Sequence, residues 1–179
     1  MVQKAGTAMT DTDIDERTIV IHDSAGFDGM RAAGRLAAEV LDMLVPHVRP
    51  GVSTLTLDQL AYEYVVSHGG VSATIFYRGY SHALCTSINH VICHGIPGPK
   101  PLQNGDIMNI DVTVVLDGWH GDTSRMYYVG TPSVMARRLV ETTFEAMWRG
   151  IRAVKPGATL GDVGHAIQQY AEGERFSVV

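Results

Sequence analysis

The chain has 179 residues, 45% of them hydrophobic, a formal net charge of -5 and two cysteines. That is apolar material for one domain core, or for one and part of another; no basic stripe offers a surface to nucleic acid, and no apolar run nears the ~20 residues that span a bilayer. Cys85 and Cys93 lack Cys-x-x-Cys spacing, so they are expected as buried free thiols of a reducing cytosol and not as a zinc–thiolate cage. Met1 to about Thr18 is polar and without periodicity, which reads as a mobile tail. It carries one early lysine, then Asp11, Asp13, Asp15 and Glu16, with no apolar segment of the kind a secretory signal needs.

Asp23 and Ser24 are both good N-cap types, and a helix is expected to begin there. Met30, Ala33, Ala37, Val40, Leu41 and Leu44 follow its 3.6-residue period. Pro46 is expected to kink it and Arg49-Pro50-Gly51 to end it. Thr56-Leu57-Asp58-Gln59 has the form of a capping box, so a second helix is expected from Thr56. Its stripe is Leu57, Leu60, Ala61, Tyr64 and Val65, and Gly69-Gly70 stops it. Short strands are expected at Ser72 to Tyr77, Leu84 to Ile88 and Val91 to His94. After the hairpin described below, Thr131-Pro132 is expected to open a third helix. Leu139, Thr143, Ala146, Met147, Gly150, Ile151 and Val154 would line one side. A fourth helix follows from about Leu160 to Glu174.

Val48-Arg49-Pro50-Gly51-Val52-Ser53 recurs as Val154-Lys155-Pro156-Gly157-Ala158-Thr159. Each copy joins a long helix to a shorter one, and each shorter helix leads to a strand-like stretch, Ser72 to Tyr77 or Phe176 to Val179. The echo suggests two similar α-α-β-β halves about a pseudo-two-fold axis. Pro-Gly after a helix is common enough that chance is the competing explanation.

Asn109 to Ser124 reads as two strands around Asp117-Gly118, a dipeptide suited to the positive φ angles of a tight hairpin. With a two-residue loop, Leu116 pairs with Trp119, Thr113 with Asp122 and Asp111 with Ser124. Asp111, Thr113, His120, Asp122 and Ser124 then share one face, opposite Ile110, Val112, Val114 and Leu116. Asp111 and Asp122 become diagonal neighbours with Cβ atoms roughly 7 Å apart, and two such carboxylates repel unless a proton or cation lies between them. A bulged three-residue loop would separate them, leaving Asp122 a turn residue and Asp111 a charge at a strand edge.

The segments Met30 to Leu41, Arg49 to Ser53, Cys85-Thr86-Ser87-Ile88-Asn89, Val91-Ile92-Cys93-His94-Gly95-Ile96-Pro97, Asn109 to Thr113, His120-Gly121-Asp122-Thr123-Ser124 and Phe176 to Val179 together resemble type I methionine aminopeptidase. The resemblance implies an α+β pita-bread (creatinase/methionine aminopeptidase) fold, here the first pseudo-symmetric half and the beginning of the second. Residues 1–20 would be a flexible polar tail and residues 21–179 an incomplete catalytic domain. It implies removal of the N-terminal methionine from nascent proteins, in the cytoplasm and near the ribosome, with two divalent metals (cobalt, manganese, iron or zinc). Asp111 and Asp122 match the family's two metal-binding aspartates, and His94 matches a catalytic histidine that contacts substrate near the scissile amide. Tyr77, Tyr80 and Cys85 match positions lining the methionine pocket; ordinary half-buried strand residues are the simpler alternative for these. Ser81 and Thr74 depart from the family pattern. The family's remaining ligands, a histidine and two glutamates, would lie after Val179, so a separate C-terminal half is an expected partner and the chain is expected to be inactive alone. The rival expectations are a non-catalytic pita-bread module that binds peptide or protein, and an inactive truncated product.

Overall fold

The computed structural model describes residues 19–75 and 77–179; the expected tail falls almost wholly outside them. Two helices open the fold, α1 (Ser24–Leu44) and α2 (Thr54–Ser67). Four strands follow: β1 (Val71–Ser72), β2 (Leu84–Ile88), β3 (Ile107–Leu116) and β4 (Trp119–Tyr128). Helices α3 (Val134–Ala153) and α4 (Leu160–Gly173) complete it. Among the described residues no helix is long and apolar enough to cross a membrane.

Asp23 caps α1 as its carboxylate accepts from Gly26 N at 3.0 Å. Pro46 does not break the chain direction abruptly but sits in a 3-10 turn, Val45–His47. Helix α2 starts two residues before the expected point. Ser53 is its N-cap, accepting from Thr56 N, and no capping box forms at Thr56. Helix α3 likewise starts after Pro132, at Val134, because Ser133 supplies the capping hydroxyl to Ala136 N.

Strand β3 organises the sheet. It pairs antiparallel with β4 on one side, and on the other with β2 over half its length and β1 near its end. Met108, Ile110, Val112 and Val114 alternate along it and are buried in one core with Leu36, Val40, Leu41, Leu44, Leu57 and Val65. Each such side chain contributes roughly 1.5–3 kcal/mol relative to exposure. Close contact between the layers needs Gly121: a Cβ there would stand 2.2 Å from the Ala33 carbonyl oxygen of α1. The Tyr127 hydroxyl locks the same layers, donating to Leu41 O at 2.6 Å.

Three expected strands differ. Of the first, Ser72 to Tyr77, only Ser72 among the described residues is in a strand, which begins one residue earlier at Val71. Ser72 already stands opposite Val114, and from Val112 back to Met108 that edge of β3 belongs to β2, so the chain must leave the sheet. Val91 to His94 forms no strand: Asn89 and His94 both take positive φ, 52° and 55°, which turns the segment out of extended geometry. Phe176 to Val179 is also without strand structure.

The sequence echo has a local counterpart. Gly51 and Gly157 take φ of 90° and 86°, Ser53 and Thr159 are both N-caps, and both following helices have 14 residues. The two helix pairs differ in what they cover. Helix α1 lies on β3 and β4, with α2 beside it, whereas α3 and α4 pack chiefly on each other, Gly150 against Ile167 and Val163. Of the expected α3 stripe, Ala146 and Gly150 are buried, while Met147, Ile151 and Val154 remain exposed.

Candidate metal centre

The hairpin forms with the two-residue loop. Asp117 and Gly118 have φ of 51° and 84°, and Leu116 pairs with Trp119, Thr113 with Asp122, and Asp111 with Ser124. Asp111 and Asp122 are therefore diagonal neighbours on the sheet face away from the core. Asp111 is partly buried and Asp122 exposed. Burial first, and then the charge of Asp122, push the Asp111 carboxyl above its ordinary value; a hydrogen bond shared with Asp122 acts in the same direction. His94 is near enough to pull it back down, as does the Val112 amide.

Among the described residues no lysine or arginine is ion-paired with either aspartate. The pair thus has repulsion to relieve and hard oxygen donors to offer, the chemistry that suits a divalent cation. It is a partial donor set. No group of three or more His, Cys, Asp or Glu side chains able to hold a metal is assembled among the described residues.

The remaining candidates fall around this pair. Cys85 on β2 is the register partner of Asp111. Its thiol donates to the Tyr80 hydroxyl at 3.7 Å, and that hydroxyl donates to Leu84 O at 2.7 Å. Burial is the main cause that raises both the Cys85 thiol and the Tyr80 phenol. Tyr77 is not gathered with them: it is 65% exposed, beneath the Arg78 guanidinium. His94 is exposed, at the residue before Gly95. Gly95 lies so close to β2 that a Cβ would come 2.1 Å from Thr86 O, and Thr86 N donates to Gly95 O at 2.7 Å. Both cysteines are free, but Cys93 is exposed and not buried as expected, because its segment never joins the sheet.

Sequence reasoning singles out neither Asp58 as an anchor nor His82, which lies two residues before Leu84 and three before Cys85 and whose Nδ1 donates to Asp58 Oδ2 at 2.8 Å. Asp58 falls within the expected capping box Thr56-Leu57-Asp58-Gln59, which gives it no other role. The usable signal was its position on the same helical face as Leu57, Ala61 and Val65, where a charge needs partners.

The family model described as metallopeptidase family M24 matches residues 28–179. A methionine aminopeptidase of Rickettsia prowazekii is 56% identical over 162 residues, covering 90% of this chain and 62% of that protein. The crystal structure of the Rickettsia prowazekii enzyme superposes with a TM-score of 0.89 at 56% identity, over 90% of this chain and 65% of that one. The methionine aminopeptidase structure from Thermotoga maritima gives 0.84 at 32% identity, over 87% and 63%. The chain thus spans just under two thirds of these relatives. The architecture is the α+β pita-bread fold expected from the sequence.

Proposed function

Since the chain belongs to metallopeptidase family M24, we propose that it carries the first half of a methionyl aminopeptidase site, acting on the N-terminal methionine of nascent proteins in the cytoplasm, close to the ribosome. The observation that carries this reading is the diagonal pair Asp111 and Asp122 on one sheet face, with Cys85 opposite Asp111 and His94 nearby. Asp111 and Asp122 would hold the metal, in a site for two divalent ions such as manganese, iron, cobalt or zinc. A cation there supplies Lewis acidity that activates water and polarises a carbonyl.

The chain's own groups do the rest. His94 donates a hydrogen bond to the substrate carbonyl as negative charge develops on it. Tyr80 and Cys85 offer an aromatic face and a polarisable thiol to the methionine side chain, with Tyr77 at the rim. Two carboxylates are a sparse ligand set, so metal is held weakly and turnover by these 179 residues alone is slow or absent. A second polypeptide supplying further ligands would raise it.

The test is methionine release from Met-Gly and Met-Ala peptides with added metal, for the chain alone and with a polypeptide carrying the remaining portion of a relative. Release restored by the mixture and lost again in Asp122→Asn supports the proposal. Peptide binding that is indifferent to metal and to both aspartates would instead identify a non-catalytic binding module.

A further inference from the structure

After Ala73, whose N–H still donates to Thr113 O of β3 at 2.9 Å, the described residues up to Ala83 lie outside the sheet and are held by local turn bonds together with side-chain bonds. Three of those side-chain bonds converge on one group. Asp58 projects from α2 and is 8% exposed. Its Oδ1 accepts from Ala83 N at 2.8 Å and from Leu84 N at 2.9 Å, and its Oδ2 accepts from His82 Nδ1 at 2.8 Å. A carboxylate only accepts, so the His82 tautomer is fixed with its proton on Nδ1. These are three charge-assisted bonds to three consecutive residues.

Two of these three residues, His82 and Leu84, hold the neighbouring side chains. The His82 carbonyl accepts from Thr74 Oγ1 at 2.7 Å, the Leu84 carbonyl accepts from Tyr80 Oη, and the Tyr80 and His82 rings meet edge to face at 5.6 Å. Cys85 follows directly and donates to Tyr80. The loop also contains Arg78 at φ 50°, ψ 33°, a conformation that persists only where surrounding contacts impose it.

We propose that Asp58 and His82 are positioning residues, a part-buried latch between α2 and the 77–84 loop that sets Tyr80 against Cys85 and so shapes the methionine side-chain pocket. The pocket part rests on the proposed function; the latch itself rests on the bonds above. Releasing the latch lets Tyr80 swing off Cys85, which widens the pocket and uncovers the thiol.

The test uses the full chain with Cys93→Ser, so that Cys85 is the single thiol, and follows its alkylation by iodoacetamide at fixed pH, alone and with methionine or leucine present. Asp58→Asn and His82→Ala are compared with the parent. His82→Ala keeps both backbone bonds to Asp58 and guards against a variant that simply unfolds; thermal melts confirm folding. Each folded variant is expected to speed alkylation about tenfold, the change in open population that loss of one charge-assisted hydrogen bond gives. Methionine should protect the parent better than leucine does, and the variants should lose that discrimination. A purely structural tie would lower the melting temperature and leave the discrimination intact. Parent-like alkylation and parent-like discrimination in folded His82→Ala would overturn the latch. If methionine fails to protect even the parent, the pocket reading falls, and the alkylation rates still decide the latch.

Discussion

Asp122→Asn should stabilise this protein when no metal is present. The Cβ atoms of the diagonal pair are roughly 7 Å apart, an upper limit on the charge separation, and at that distance two carboxylates repel by roughly 0.6–2.4 kcal/mol for an effective dielectric of ~80 down to ~20. Asp122 is exposed, so screening places the value near the low end, about 1 kcal/mol. For a chain of this size that is a rise in Tm of about 2–4 °C. The sign follows from Asp111. Burial and Asp122 raise its pKa in the folded state, so wild-type stability falls as pH climbs from the ordinary carboxylate value through the raised one. The gain from Asp122→Asn should therefore be full above that window and vanish below it, where Asp111 is protonated in both folded and unfolded chains. Melting curves in chelator at a series of pH values from acid to neutral measure this. A variant that melts below wild type at neutral pH, or whose difference does not change with pH, would refute the argument that the two carboxylates strain each other.

Gly121→Ala should cost about 1–3 kcal/mol or more, since the new methyl meets the Ala33 carbonyl and only movement of α1 relieves it; urea denaturation reads this, and an unchanged midpoint would mean the layers are looser than described. On α3, Phe144 and Ile151 are 60% and 48% exposed with Met147 between them, an apolar face of the kind that drives association. Ile151→Glu should lower self-association by light scattering at high concentration, and an unaltered mass would show that the face is inert.

What was legible in the sequence was local. Asp117-Gly118 demands positive φ at two successive residues, which dictates the register and thereby puts Asp111 and Asp122 on one face. Gly51 and Gly157, each two residues before an N-cap, marked the helix–helix joints in the same way. What was not legible depends on which partner reaches a sheet edge first. Ser72 to Tyr77 has strand composition, yet β2 occupies the edge it would need. Val91 to His94 is apolar and β-branched, yet positive φ at Asn89 and His94 bends it away. Asp58 lay in plain view on a buried helical face, but its three partners are 24 to 26 residues further along the chain. Of the residues expected to line the pocket, Tyr80 and Cys85 meet next to that distant anchor, and Tyr77 stands apart from them, largely exposed.

The proposed site stands or falls on whether Asp111 and Asp122 together hold a divalent cation. Titration with Mn²⁺, followed by the electron paramagnetic resonance signal of the free ion, tests it directly in the wild-type chain and in Asp111→Asn and Asp122→Asn. The wild type should deplete free Mn²⁺ measurably, and each single variant should leave the signal at its buffer value. Variants that deplete Mn²⁺ as the wild type does, or a wild type that leaves the signal unchanged at millimolar metal, would contradict the claim.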